Sequence, residues 1–164
     1  MIGRPSWGGA LWPPDNTGGH NAPPLPIEPE VTAQIKGIGI DIAPISRVAK
    51  LVNRYDRETL SLLFTANEIN QCQEAPYPHQ YYAVCFATKE AVGKALGTGL
   101  ADIGWNEIES TVSVTGLTIK LHGSAQGTAL QCGVKQWLAT WCHWDDYVLV
   151  HVLAQSEGRC HESD

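Results

Sequence analysis

The sequence predicts an α+β domain in which a small, mostly antiparallel sheet packs on one long helix. Three patterns in the 164-residue chain carry that expectation. Isoleucines alternate with glycine and aspartate over residues 34–42, the period of a strand. A long helical segment follows over about residues 80–96, ending at Gly97-Thr98-Gly99. Beyond Asp102 the pattern changes to alternation in several short runs.

Taken in order, residues 1 to about 34 hold seven of the ten prolines with repeated glycines and no helical or strand period. They read as an extension, in which Trp7, Leu11 and Trp12 either clasp the body of the protein or a partner, or belong to a loosely ordered tail. The body begins at Gln34, where Ile38, Ile40 and Ile42 alternate with Gly37, Gly39 and Asp41 to give one apolar and one nearly bare strand face. Pro44 suits the first turn of a helix, and Ile45, Val48, Leu51 and Val52 continue it at helical spacing to about Tyr55. Short helices are expected at Thr59–Phe64 and Ala66–Gln73, broken by Pro76 and Pro78, before the long one over Gln80–Leu96. Strands follow near Ile108–Val114, Thr118–His122, Val134–Trp141 and Tyr147–Ala154, with a helix at Ser124–Cys132. The expected organisation is an extension at 1–34, a domain at 35–155 and a short tail at 156–164.

Hydrophobic residues make up 43% and charged residues 17%, with a net charge of −6. Those values describe an ordinary globular protein, and a domain of this size buries about 70% of the surface that its unfolded chain exposes. An acidic chain is a poor fit to nucleic acid. Five scattered cysteines without a C-x-x-C pair suggest neither a disulfide framework nor a zinc site, and point to a reducing cytoplasm. No apolar run reaches membrane-spanning length, and the N-terminus lacks the continuous apolar stretch of a signal peptide.

Two places carry candidate chemistry. On the long helix Glu90, Lys94 and Gly97 stand at i, i+4 and i+7 and share one face. A carboxylate, an ammonium and bare backbone pointing together suit a metal-bridged phosphate. The same spacing is also that of a surface Glu–Lys pair with a glycine stop. Asp41, next to a helix start, is a helix cap or a metal ligand, and the bare Gly37 and Gly39 beside it leave room for something bulky to dock.

The ordered series Gly37-Ile-Gly-Ile-Asp-Ile42, Phe64-Thr-x-x-Glu68, Phe86-Ala-x-Lys-Glu-Ala91 and Lys94-Ala-Leu-Gly-Thr-Gly99 resembles the 4'-phosphopantetheinyl transferase superfamily, in its short holo-acyl-carrier-protein synthase branch. Trp105-x-x-Ile-Glu109 and Leu121-His-Gly-Ser-Ala125 extend the likeness, which covers about Ile35 to Ala154. The resemblance implies that fold and the transfer of 4'-phosphopantetheine from coenzyme A to a carrier-protein serine, with release of 3',5'-ADP. It implies Asp41 and Glu90 as Mg2+ ligands, Lys94 with Gly97, Thr98 and Gly99 as coenzyme A contacts, and His143 as a further one. Glu90 and Lys94 are thereby the candidate catalytic residues. Candidates for taking the serine proton are Glu90, a water on the metal, or a carboxylate such as Glu68. The family's carrier proteins are acidic and dock on a basic first helix. Here Arg47, Lys50, Arg54 and Arg57 fall within an arc of about 80° if one helix runs through them, at about 100° per residue. Family members of this type form homotrimers with sites shared between subunits, and serve fatty acid or polyketide biosynthesis.

Three positions depart from the family near the expected coenzyme A site. Cys85 stands where the family commonly has Arg, Leu117 where it has Pro, and Cys142 where it has Ser. They keep open an alternative in which the fold and carrier-binding helix persist without transfer, as a binding module or an enzyme on carrier-tethered intermediates. Cys142 and His143 are not expected to act as a nucleophile and base, because neighbouring strand residues face opposite ways. Trp137, Trp141 and Trp144, with His151 nearby, are expected to make an aromatic-rich sheet face.

Overall fold

The computed structural model describes residues 33–114 and 116–157. The expected extension, with Trp7, Leu11 and Trp12, lies almost wholly outside the described residues, as does most of the expected C-terminal tail. Strand β1 (Ile35–Pro44) leads into helix α1 (Ile45–Arg54), the single turn α2 (Arg57–Leu60), α3 (Ala66–Glu74) and the long α4 (Pro78–Leu96). After a 3-10 turn at Trp105–Glu107 come β2 (Ile108–Val112), β3 (Leu117–Leu121), α5 (Gly123–Gln131), β4 (Gln136–Trp144) and β5 (Tyr147–Gln155). The strands form one antiparallel sheet in the order β1-β5-β4-β3-β2, the expected α+β architecture. No helix among the described residues is long and apolar enough to cross a membrane.

Helix α4 is the axis of the core. Ala83, Val84, Ala87, Ala91 and Val92 are fully buried, because α1 and α3 cover one side of the helix while β1 and β5 cover the other. Two glycines set the closeness of the β1 contact. A Cβ on Gly37 would stand 1.8 Å from the Ala95 carbonyl oxygen, and one on Gly39 would stand 1.8 Å from that of Ala91. The bare face of β1 is therefore taken by the protein's own helix, and is not open to a docking ligand as the alternation suggested.

Several boundaries move for local reasons. Pro44 ends β1 and caps α1 instead of starting its first turn. Pro78 opens α4 at its first turn, where a missing N–H costs nothing, so the helix starts two residues before the expected Gln80. The Asp56 carboxylate accepts from the Thr59 N–H at 2.9 Å and starts α2 ahead of the expected Thr59. Glu107 ties the 3-10 turn to α5. It accepts from the backbone of Gly104, Ser124 and Ala125 and from the Ser124 hydroxyl, which with those N–H groups holds its carboxyl below the usual range.

Among the described residues, none covers the opposite face of the sheet. Ile38, Ile40 and Ile42 on β1 are half-exposed, and their partners across the ladder are Leu153, His151 and Leu149. Leu138, Thr140 and Cys142 continue the surface on β4. Trp137 and Trp141 are on the α4 side, opposite Ala154 and Val150, while Trp144 and His151 are on the uncovered side. The expected aromatic face is thus split between the two sides by strand alternation.

Candidate active site

The β1–α4 contact places the two carboxylates. Gly37 lies under Ala95 and Gly39 under Ala91, so two strand residues, about 6.8 Å, keep pace with four helical residues, about 6 Å. One step further, Asp41 comes level with the turn that carries Glu90. Asp41 and Glu90 accordingly line one groove of about 240 Å³, whose walls include Arg47 and Leu51 of α1 and Phe86 of α4. Trp105 backs Phe86, with ring centroids 5.1 Å apart.

Lys94 reaches the same place from the next turn of α4. Its ammonium donates to Asp41 Oδ1 at 2.8 Å and to the Ile40 carbonyl at 2.8 Å. The surface-pair reading of Glu90 and Lys94 therefore fails, since the lysine pairs across to β1. Beyond it the helix stops at Gly97, with φ of 75°, and Gly99, with φ of 64°, donates its N–H to the Gly93 carbonyl at 3.1 Å. The turn folds back on Gly93, where a Cβ would meet the Gly99 backbone at 2.8 Å. Exposed Thr98 is the tip of that turn, at the Lys94 end of α4.

Two partly buried carboxylates on one groove suit Mg2+, which takes one or two of them and completes its shell with water and phosphate oxygens. No third His, Cys, Asp or Glu joins them in a metal-binding group among the described residues. A zinc centre, with three or four nitrogen or sulfur ligands, would not fit this donor set. A larger cavity of about 310 Å³, lined by Leu60, Ile69 and Tyr82, contains no carboxylate. Chemistry favours the smaller groove.

Arg47, Lys50 and Arg54 are exposed on α1, with Arg47 on the wall of the groove itself. Arg57 does not extend their stripe. Helix α1 ends at Arg54, and the Arg57 guanidinium is held by Asn70 at 2.7 Å and Gln73 at 3.4 Å. His143 is not brought to the carboxylates within one chain. It sits on β4, two strands from Asp41, stacked on Trp141, which in turn meets Tyr81 near the start of α4.

Glu68 is removed as a proton acceptor. It is fully buried, accepts from Thr65 N–H at 2.8 Å and Ser110 N–H at 2.9 Å, and pairs with Lys89 at 2.7 Å. The three departures lie in different parts of the fold. Cys85 is buried between α3 and α4, 3.9 Å from the Cys72 sulfur, and Leu117 is buried in the sheet. Cys142 is exposed on the side of β4 opposite His143, as strand alternation requires. None of them lines the Asp41–Glu90 groove. Sequence reasoning missed Leu51 and Phe86 as groove walls. Phe86 stood inside one of the family motifs, but its place on the groove wall appears only when α4 packs beside β1 and α1.

This arrangement of one antiparallel sheet on one helix is also that of solved holo-[acyl-carrier-protein] synthases. The enzyme from Neisseria meningitidis is 25% identical and superposes with a TM-score of 0.66, covering 74% of this chain and 98% of its own. That from Helicobacter pylori, solved in complex with coenzyme A, is 26% identical with a TM-score of 0.60, covering 71% and 98%. A holo-[acyl-carrier-protein] synthase of Natranaerobius thermophilus is 36% identical over 101 residues, which are 61% of this chain and 81% of that one. Fold and sequence thus define a small transferase of the synthase type. The family model for the 4'-phosphopantetheinyl transferase superfamily matches residues 37–151, and the chain belongs to that superfamily.

Proposed function

We propose that this protein transfers the 4'-phosphopantetheine arm of coenzyme A to a serine of an acidic acyl or peptidyl carrier protein, releasing 3',5'-ADP, in an Mg2+-dependent reaction. The observation that carries the proposal is the sharing of one groove by Asp41 and Glu90, with Lys94 paired to Asp41 and the basic helix α1 as a wall. The relatives named as holo-[acyl-carrier-protein] synthases, and the coenzyme A complex of one of them, support the same reading.

In the reaction the serine oxygen forms a bond to the phosphorus bearing the pantetheine arm. The bond from that phosphorus to the oxygen of 3',5'-ADP breaks, and the serine proton leaves to a base. Asp41 and Glu90 would hold Mg2+, which when bound offsets charge on the phosphate oxygens. Lys94 supplies a point charge to those oxygens, and the Gly97-Thr98-Gly99 turn lets a ligand approach the backbone closely. With Glu68 committed to Lys89, Glu90 and a water on the metal are the remaining candidates to take the proton. Arg47, Lys50 and Arg54 steer the carrier to the groove edge. Residues 35–155 form the catalytic domain in this reading, and the uncovered sheet face joins copies into a homotrimer that brings His143 of one copy toward the carboxylates of another. The alternative, a carrier-binding module without transfer, finds no support in the Asp41–Glu90 groove, which none of Cys85, Leu117 and Cys142 lines.

The test is purified protein with Mg2+, coenzyme A and a panel of apo-carrier proteins, read by intact mass. Gain of one phosphopantetheine on a cognate carrier is expected, with Glu90→Ala slower by about a hundredfold or more. No gain on any carrier overturns the proposal.

A further inference from the structure

Lys94 is turned toward β1 and the groove carboxylate Asp41. Two of its three N–H donors are taken by Asp41 Oδ1 and the Ile40 carbonyl, each at 2.8 Å. The ammonium therefore occupies an oxygen of the carboxylate that the proposed function gives to the metal. A lysine so placed is not free to reach a phosphate, and a divalent cation approaching Asp41 meets a positive charge already on its ligand. The two partners differ in freedom. Asp41 is held on a strand with its side chain 16% exposed, whereas the Lys94 side chain is 50% exposed on a flexible stem.

We propose that Lys94 is a place-holder cation: it neutralises Asp41 while the groove is empty, and the coenzyme's phosphates draw it away to admit the metal. The inference rests on Asp41 and Glu90 as the metal pair. It makes Lys94 a positioning residue for Asp41 as well as a phosphate contact. It also couples the two ligands, so that coenzyme A tightens metal binding by the same factor by which the metal tightens coenzyme A. Part of that coupling passes through the lysine alone. A permanent Lys94–Asp41 staple between β1 and α4 would instead leave metal affinity indifferent to the side chain.

The experiment titrates Mn2+ into the full chain without coenzyme A, following free Mn2+ by electron paramagnetic resonance. Lys94→Met, which keeps the stem and removes the charge, is expected to bind Mn2+ about fivefold or more tighter than the parent. Lys94→Gln serves as a second variant should the first fold poorly. Arg47→Met, which removes a charge from the groove wall without touching Asp41, is expected to change Mn2+ affinity little. With coenzyme A present, the tightening of Mn2+ by the coenzyme is expected to be smaller in Lys94→Met than in the parent. Unchanged or weaker Mn2+ binding by both Lys94 variants overturns the place-holder role while leaving the metal pair standing, and an equal gain in Arg47→Met reduces the effect to net charge and overturns it too. Absence of Mn2+ binding in every form overturns the metal pair itself, and the inference with it.

Discussion

At the scale of single residues, the least expected feature is the charged pair inside the core. Lys89 and Glu68 are both fully buried, and Lys89 donates to Glu68 at 2.7 Å and also to the Ile108 carbonyl. Burying two charges is costly, and the cost is met here by mutual pairing plus the N–H groups of Thr65 and Ser110 on the carboxylate. The pair links α3, α4 and β2 at one point, behind the helix face that carries Glu90. Removing one partner leaves a buried charge without its counterion. Lys89→Met is expected to lose about 3–5 kcal/mol of stability in urea denaturation, and Lys89→Met with Glu68→Gln is expected to lose less than Lys89→Met alone. An additive double variant would refute the coupling. Nearby, burial pushes the Tyr82 hydroxyl up to about 12, and the hydrogen bond shared with Cys72, with burial, raises the Cys85 thiol. Both groups are therefore neutral near pH 7, and Cys85 is packing material where the family's arginine would have been read as a phosphate donor.

At the scale of elements, the site is a consequence of how closely β1 lies on α4. Gly39→Ala forces a methyl to within 1.8 Å of the Ala91 carbonyl oxygen, against helix backbone that has no rotamer to yield. A cost of at least about 1–3 kcal/mol is expected, together with weaker Mn2+ binding, because Asp41 must move away from Glu90 with its strand. A stable variant with unaltered Mn2+ affinity would separate the glycine contact from the site. The element scale also shows what the sequence could and could not say. Ile38, Ile40 and Ile42 made β1 legible by their period alone, and Gly97 with Gly99 marked the end of α4, because both signals are local. The destination of the bare face of β1 was not local. Nothing in residues 34–42 distinguishes a helix backbone from a ligand as the thing that Gly37 and Gly39 admit. Likewise Glu68 read either as a possible base or as a helix-structure residue; its capping box with Thr65 is local, but its pairing to Lys89, 21 positions away, appears only when α3 meets α4. Asp41 and Glu90 became a pair only through the ordered motifs around them, since a lone carboxylate before or within a helix has commoner uses.

At the scale of the whole molecule, the described residues have an incomplete look: they cover the sheet on one side only, and His143 stands apart from the carboxylates. Ile38, Ile40 and Ile42 are 54%, 50% and 51% exposed and Leu138 is 45% exposed, around Leu149 and Leu153 on β5, the strand between β1 and β4. A contiguous apolar face of that kind, beside β1 as an edge strand among the described residues, suits contact with another molecule. If further copies of this chain cover it, the site proposed here is shared, with Asp41 and Glu90 from one copy and His143 from the next. Complementation separates that arrangement from a site built within one chain. Glu90→Ala and His143→Ala proteins, each slowed on its own, are mixed and allowed to exchange subunits. In a ring of copies assembled at random from equal amounts, a quarter of the interfaces pair an intact Glu90 with an intact His143, so the mixture should regain up to roughly a quarter of parental activity. Ile40→Lys, placed in the centre of the uncovered face, should yield smaller particles by sedimentation and no regain when built into both partners. A mixture that exchanges subunits yet stays as slow as its components would confine the site to a single chain, and the uncovered face would then belong to a different molecule.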